Sequence, residues 1–202
     1  MKIGYTAKLA VHLLCAVCLI SLLPLRTSAW GVKGHRVVAR IAAKHLTPKT
    51  RAAIVAILRS DEEDIDQCRQ LLSVADQLAC VSVWADEVRD SKKFPQYENT
   101  FSLHFVNIPI YLPAAERHYD AKRDCQNGCI VTGVETYRKT LITSTNAAER
   151  AVALKFIVHF IGDLHQPLHA SVDKDCVLVR PENVGNGHKK FIDYVPAIAG
   201  AT

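Results

Sequence analysis

The chain contains a run of histidines and an aspartate whose spacing is suited to metal binding. His159 and Asp163 are four residues apart, so they share one face of a helix if this segment is helical. His165 and His169 follow on either side of Pro167. Taken alone, the pair His159 and Asp163 is read more readily as a structural hydrogen-bonded pair, because buried polar groups normally have such partners.

Further candidate ligands are scattered along the chain. Asp86 follows Trp84 by two residues, His104 lies between Leu and Phe, and Trp30 precedes His35 by five residues. Carboxylate and imidazole ligands without thiolate suit zinc in a catalytic role, where open positions keep water bound. The set predicts a catalytic metal site assembled from separate elements rather than an isolated structural pair.

Trp30 is a candidate ligand because it follows a predicted secretion signal. Lys2 and Lys8 form a basic start, residues 10–23 are apolar, and small residues lead up to Ala29. Cleavage after Ala29 would free the α-amino group of Trp30, which can chelate a metal together with its own carbonyl oxygen. An uncleaved N-terminal anchor is the alternative, although the apolar run is short for a membrane span.

Removal of residues 1–29 changes the bulk properties of the chain. The segment holds three basic residues and no acidic one, so residues 30–202 carry 22 basic and 20 acidic residues. This weakly basic chain would hold a nucleic acid by local contacts rather than by a global field. No second apolar stretch of membrane-spanning length is present, so we expect a secreted or periplasmic protein without a membrane span after signal removal.

The hydrophobic pattern predicts a mainly α, single-domain helical bundle. The clearest helix runs over 147–164, with a cap within Ser144-Thr145-Asn146, and another starts at Pro48 with Thr47 as its N-cap. The expected core positions of this second helix are Ala52, Ile54, Val55 and Ile57. An earlier helix is predicted over 37–45, with an apolar face formed by Val37, Val38, Ile41 and Ala42. Residues 101–110 alternate and are predicted to be extended.

Five cysteines remain after the predicted signal. Cys125 and Cys129 enclose a short loop with an Asn-Gly turn signal and form the best predicted disulfide. Cys68 with Cys80 is a weaker second pair, and Cys176 is left over. A zinc knuckle is the alternative for the first pair, but no other cysteine pair has a matching spacing.

Four separated motifs together resemble one family. They are Trp30-x4-His35, Trp84-Ala-Asp86-x2-Arg89, Leu103-His104-Phe105 and His159-Phe-Ile-Gly-Asp163-Leu-His-Gln-Pro-Leu-His169. Their order is similar to that of the zinc-dependent single-strand nucleases, the S-one and P-one nucleases of moulds, which have plant and bacterial relatives. The resemblance covers about residues 30–170, and the same superfamily includes the zinc phospholipases C.

The resemblance implies a cluster of up to three zinc ions. It assigns the first zinc to Asp86, His104, His159 and Asp163. It assigns the second to Trp30, His35 and a bridging Asp163. It starts a third site at His169, which a downstream His-x3-Asp helix completes in the family.

The resemblance also implies roles in substrate binding and catalysis. Asp86, Arg89 and Asp163 are the expected catalytic residues, and Arg89 stabilises charge on the phosphate. Phe105 stacks a nucleobase, and Asn107 stands where the mould enzymes have an aspartate that bonds the base. Each assignment has a plainer alternative, since Arg89 could form a structural ion pair and Phe105 could belong to the core.

The chain departs from the family after His169. His188 and Asp193 are five residues apart and therefore do not share a helical face, so they do not match the family's His-x3-Asp pair. The resemblance therefore implies the first two zinc sites and leaves the third with His169 as its one identified ligand. We divide the chain into a signal peptide at 1–29, a nuclease domain at 30–170 and a divergent or truncated tail at 171–202.

The leading functional hypothesis is an exported zinc-dependent endonuclease. Its substrates would be single-stranded DNA and RNA, cleaved to 5′-phosphate products, together with 3′-nucleotides, and no stable protein partner is implied. Two alternatives remain open. One is a zinc-dependent phospholipase C on the same scaffold, and the other is an inactive truncated product that binds zinc.

Overall fold

The structure is a computed structural model that describes residues 31–61, 66–89 and 92–173, and the backbone of 176–177 and 195–196. Trp30, His188 and Asp193 lie outside these ranges, as do the predicted signal and most of the predicted tail. The described residues are mainly helical, which confirms the predicted fold class.

The helices and strands follow one another in a simple order. The α-helices are α1 Val32–Lys44, α2 Pro48–Arg59, α3 Asp66–Arg69, α4 Val74–Val81, α5 Trp84–Arg89, α6 Ala121–Asp124, α7 Ile130–Thr143, α8 Ala147–Leu164 and α9 Pro167–Ala170. Two 3₁₀ helices cover Pro95–His104 and Ala114–Glu116, and the short strands β1 Cys176–Val177 and β2 Val195–Pro196 pair antiparallel.

Helix α8 is the centre of the fold and has the predicted bounds. Asn146 caps it, because its side-chain oxygen accepts hydrogen bonds from the backbone N–H groups of Ala148 and Glu149. The helix contacts α1, α2, α4, α5 and α7. Its Phe156 ring stacks on Tyr137 of α7 at a centroid distance of 4.2 Å. Because other helices pack around α8, its polar side chains Lys155, His159 and Asp163 are buried.

Helix α2 begins as the sequence predicts but buries fewer residues than expected. The Thr47 hydroxyl accepts a hydrogen bond from the Thr50 backbone N–H, and proline occupies the first helical position. Ile54 is buried together with Leu58, whereas Ala52 is exposed. The prediction of Ala52 as core was therefore wrong, since only one narrow face of α2 meets α8.

Helix α1 turns the opposite face inward from the one predicted. It begins at Val32, and its buried residues are His35, Ala39 and Ala43. Val37 and Ile41 are 53% and 52% exposed and Ala42 is also exposed, so the prediction of these three as the inward face was wrong. The inward face contains His35, which contacts the buried Asp163. It also contains two alanines, which allow close helix packing.

The segment 101–110 is only partly extended. Residues up to His104 complete the 3₁₀ helix, so the prediction was wrong for 101–104, and extended backbone begins at Phe105. The Val106 N–H donates to the His169 carbonyl at 2.8 Å, and the Ile110 N–H donates to the Val172 carbonyl at 3.0 Å. These bonds fasten the segment beside the end of α8 and thereby place His104 against that helix.

Both predicted disulfides are present. Cys68–Cys80 joins α3 to α4, and Cys125–Cys129 closes the loop between α6 and α7. Gly128 within this second loop has φ +83°, a conformation that L side chains rarely adopt. In the part of the chain that the structure describes, no helix has the length and apolar character needed to cross a bilayer.

Candidate metal centre

Four predicted ligands converge on one small volume. The His159 Nε2 atom lies 2.9 Å from His104 Nδ1, and Asp163 Oδ2 lies 3.0 Å and 3.1 Å from these two nitrogens. Asp86 Oδ1 lies 3.5 Å from His104 Nδ1 and 3.6 Å from His159 Nε2. Ligands bound to one tetrahedral zinc at about 2.0–2.1 Å are roughly 3.3 Å from each other, so this spacing fits a shared ion.

Backbone carbonyls fix the orientation of two of the histidines. The Nδ1–H of His159 donates to the Ser82 carbonyl at 2.7 Å, which turns Nε2 toward the cluster. The Nδ1–H of His169 donates to the His104 carbonyl at 2.9 Å, which leaves its Nε2 as the nitrogen with a lone pair. Metal-binding histidines commonly donate their second ring nitrogen to a carbonyl or carboxylate in this manner.

His35 approaches the same aspartate from helix α1. Its Nε2 atom lies 3.2 Å from Asp163 Oδ1 and 4.0 Å from Asp86 Oδ2. The His35 ring stacks on the His159 ring with a centroid distance of 4.1 Å. Asp163 therefore presents one carboxylate oxygen to His35 and the other to His104 and His159, which is the arrangement that a bridging carboxylate requires.

The electrostatics of the cluster favour ligand protonation states. Burial alone would raise the pKa of Asp163, but hydrogen bonds with His104, His159 and His35 hold it well below its usual range. Burial lowers the pKa of His104 to about 4 against the opposing hydrogen bond with Asp163. Metal ligands must be ionised carboxylates and neutral imidazoles, and these two residues are already in those states near neutral pH.

His159 responds differently from His104. Its burial lowers the pKa, but the hydrogen bond with Asp163 and the charges of Asp163 and Asp86 outweigh burial and raise the pKa overall. Two carboxylates therefore attract positive charge to the position of His159 Nε2. A metal cation satisfies the same attraction, so the site is chemically suited to one.

Two groups of described residues can hold a metal ion. One consists of His35, His159 and Asp163, and the other of Asp86, His104 and His159. The histidines of both groups and Asp163 are buried, whereas the Asp86 side chain is 28% exposed. His35 Nδ1 and His104 Nε2, the ring nitrogens other than those that contact Asp163, are buried with no hydrogen-bond partner among the described residues. The donor set and burial fit a metal, with access to solvent on the Asp86 side.

Arg89 lies where the helical spacing places it, on the same side of α5 as Asp86. Its Nη1 atom is 3.0 Å from Asp86 Oδ1, and its guanidinium carbon is 5.5 Å from the centre of the Phe101 ring. The ion pair with Asp86 fits a structural role for Arg89. The position of Arg89 beside the cluster also fits a phosphate-binding role.

A cleft of about 330 Å³ contains the two predicted base contacts. Phe101, Phe105 and Asn107 line it, and the facing residues come from α6 and the disulfide-closed loop at 125–129. The Phe105 ring meets Phe101 edge to face at a centroid distance of 5.6 Å. Phe105 is thus partly exposed in a cleft rather than wholly within the core.

Four further histidines lie in the described residues, one at the edge of the cluster and three exposed. His169 lies at the edge of the cluster, with Nδ1 3.9 Å from Asp163 Oδ1. His45, His118 and His165 are exposed. The sequence reasoning did not single out Phe101, which lines the cleft, or Gly162, which lies against the His35 ring. The first carried no motif signal, and the second would have required knowledge of which helix α8 contacts there.

This helical chain with a buried His/Asp cluster matches a known family of nucleases. Residues 30–182 match the family model for S1/P1 Nuclease, which is well over half of the chain. The chain therefore belongs to the S1/P1 nuclease family.

Curated relatives agree with this assignment. Nuclease S1 of Aspergillus oryzae is 34% identical over 146 residues, which cover 71% of this chain and 45% of the relative. Endonuclease 3 of Arabidopsis thaliana is 33% identical over 147 residues, covering 69% and 44%. Nuclease P1 of Penicillium citrinum is 33% identical over 142 residues, covering 69% and 47%. The chain thus spans less than half the length of these relatives.

Proposed function

We propose that this chain is a zinc-dependent nuclease that hydrolyses phosphodiester bonds of single-stranded DNA and RNA to 5′-phosphate products, and that it removes 3′-phosphates from nucleotides. Family membership supports the reaction class. The observation that carries the proposal is the convergence of donor atoms from Asp86, His104, His159 and Asp163 within 2.9–3.6 Å beside a cleft with aromatic and amide side chains.

The metal ligands of the proposal come from separate elements. Asp86, His104, His159 and Asp163 would hold one zinc, and His35 with Asp163 and the Trp30 amino terminus would hold a second. His169 would contribute to a third, whose other ligands we do not assign. Zinc supplies a bound water whose pKa falls toward about 7, and it polarises phosphoryl oxygens.

The side chains around the cluster bind and orient the substrate. Arg89 would pair with the non-bridging phosphate oxygens, a role that its guanidinium fork suits. Phe105 would stack on a base, and the Asn107 amide would donate and accept hydrogen bonds at the base edge. A buried cluster beside a stacking cleft favours single strands, because a base within a duplex must first leave its stack.

We further propose that the chain is exported and that the active form begins at Trp30. The motive is the basic, apolar and small-residue sequence of 1–29, which ends immediately before the Trp-x4-His match. In this proposal residues 30–170 form the nuclease domain and 171–202 a divergent tail. A chain that keeps one extra residue before Trp30 is expected to lose activity, since its amino group no longer reaches the metal.

A comparison of three substrates tests the proposed reaction. The zinc-loaded chain is incubated with a single-stranded oligonucleotide, a 3′-nucleotide and phosphatidylcholine, beside the variants Asp163→Asn and Asp76→Asn. Asp76 is a partly exposed aspartate of α4 paired with Arg40, so its variant controls for the loss of one carboxylate. Cleavage of the first two substrates, lost only in Asp163→Asn, supports a nuclease. Cleavage of the lipid alone supports the phospholipase, and zinc binding without hydrolysis supports the inactive product.

A further inference from the structure

Phe101 is an aromatic residue that lines the cleft and has no role in the proposed function so far. We propose that Phe101 contacts the nucleobase directly and sets how strongly base-bearing substrates are held. This inference rests on the proposed nuclease function and adds a specificity-determining residue to it.

Phe101 contacts both Arg89, the proposed phosphate contact, and Phe105, the proposed base contact. It lies three residues before His104 in the 3₁₀ helix, and its ring meets Phe105 at 5.6 Å with an interplanar angle of 75°. The Arg89 guanidinium lies 5.5 Å from the centre of the same ring. A nucleotide whose phosphate reaches Arg89 therefore brings its base toward Phe101 and Phe105.

The exposure of Phe101 leaves its ring accessible to a ligand. The side chain is 36% exposed although it lies in a concave surface. Apolar area left in water costs about 25 cal/mol per Å², and a base stacked on an aromatic ring is worth roughly 1–3 kcal/mol. The edge-to-face contact with Phe105 and the cation–π contact with Arg89 hold the ring before a substrate arrives, which lowers the ordering cost of binding.

The amide residues that line the cleft suit a planar ring with polar edges. Gln126 and Asn127 lie on the loop that Cys125–Cys129 closes, and Asn107 lies on the Phe105 side. Three amides offer donors and acceptors together, so they can bond the edges of different bases. Aromatic rings and amides that line one cleft are the chemistry that recognises a nucleobase.

The test compares Phe101→Ala, Phe101→Leu and Phe101→Trp with the wild-type chain. Tyr111→Ala is the matched control, because Tyr111 is an aromatic residue at 50% exposure that does not line the cleft. Each protein is assayed on a tetranucleotide and on the same molecule with an abasic residue next to the scissile phosphate. We expect Phe101→Ala to raise KM for the natural substrate about 5-fold or more, from a stacking loss of roughly 1 kcal/mol or more.

The other arms decide whether the contact is with the base. We expect Phe101→Trp to keep the wild-type KM and Phe101→Leu to raise KM as Phe101→Ala does. On the abasic substrate, KM should be the same for the Phe101 variants and the wild-type chain. Tyr111→Ala should leave KM unchanged on both substrates. An equal effect of Phe101→Ala on both substrates, or a fall in kcat alone, would overturn the inference and assign Phe101 to the positioning of Arg89.

A binding measurement separates this inference from the proposed function. Calorimetry gives the affinity of adenosine 5′-monophosphate for the wild-type chain and for Phe101→Ala. If adenosine 5′-monophosphate binds more weakly to Phe101→Ala, but the wild-type chain does not hydrolyse the tetranucleotide, the nuclease proposal is rejected and the base contact is kept. Hydrolysis by the wild-type chain with unchanged binding and KM in Phe101→Ala would reject the base contact and keep the nuclease.

Discussion

Gly162 lies directly against the imidazole of His35, and a Cβ atom at position 162 would stand 2.6 Å from His35 Nδ1. Real Cβ atoms do not approach that closely, so any other residue at 162 would displace the histidine. This contact lets α1 and α8 bring His35 Nε2 to 3.2 Å from Asp163 Oδ1. A missing side chain on one helix thus sets the position of a candidate ligand on another.

Gly162→Ala is therefore expected to weaken metal binding at His35 and Asp163 while the fold persists. Alanine favours a helix over glycine by about 1 kcal/mol, so a loss of binding would not reflect a weaker helix. The measurement is zinc affinity by competition with a chelator, together with the thermal unfolding midpoint.

Gly133→Ala is the control for this variant. A Cβ there would lie 3.1 Å from Leu103 Cβ and from Phe160 Cε2, so crowding falls on the core and not on a candidate ligand. We expect it to lower stability and leave zinc affinity near the wild-type value. If Gly162→Ala keeps full zinc affinity, His35 is not a ligand.

Asp163→Asn is expected to damage activity more than His169→Ala. Asp163 presents its two oxygens to different histidines, and an amide cannot replace both as an anion. His169 lies farther out, with Nδ1 3.9 Å from Asp163 Oδ1. Hydrolysis rates and zinc content of both variants give the comparison. Equal losses in the two variants would mean that a third zinc site forms.

A buried ion pair joins Lys155 of α8 to Asp61, which follows α2. Lys155 Nζ lies 2.8 Å from Asp61 Oδ2 with both side chains at 0% exposure, and it lies 3.6 Å from the centre of the Trp84 ring. Lys155→Met leaves a buried carboxylate without this cation and is expected to cost about 3–5 kcal/mol of unfolding free energy. Denaturant unfolding measures this cost.

Two further variants test that explanation. The double variant Lys155→Met/Asp61→Leu removes both charges and should recover most of the loss, because apolar residues often replace a buried pair without cost. Arg40→Met breaks the exposed pair with Asp76 and should cost under about 1 kcal/mol. Similar costs for Lys155→Met and Arg40→Met would contradict the role assigned to burial.

Loss of one disulfide is expected to affect mainly stability, and loss of the other mainly substrate binding. Loss of Cys68–Cys80, whose cysteines are 12 residues apart, should cost about 3 kcal/mol, against about 2 kcal/mol for Cys125–Cys129, 4 residues apart. Only Cys125–Cys129 borders the cleft. Serine replacement of Cys125 and Cys129 should therefore raise KM more. Serine replacement of Cys68 and Cys80 should lower the unfolding midpoint more. The opposite ranking of KM would remove the loop from the substrate site.

The sequence predicted those features whose signals are local. Helix α8 is long and has an asparagine cap before it and a proline after it, so its bounds could be read directly. The short Cys125–Cys129 spacing and the cap at Thr47 are equally local. The convergence of the metal ligands could be predicted only through the family resemblance, because the residues lie on separate elements.

The errors came where tertiary contacts override hydrophobicity. The more apolar face of α1 contains Val37 and Ile41, yet the buried face is the one with His35, whose imidazole contacts Asp163. Residues 101–104 alternate like a strand but complete a 3₁₀ helix, and backbone bonds to His169 and Val172 fasten the chain that follows. Neither partner is visible from the local pattern.

The most direct test of the account is the zinc content of the purified chain, measured by mass spectrometry alongside hydrolysis of single-stranded DNA. We expect two zinc ions per chain, loss of both zinc and hydrolysis on chelation, and recovery of both when zinc is returned. A chain that carries no zinc, or one that hydrolyses DNA at the full rate after chelation, would contradict the proposal of a zinc-dependent nuclease.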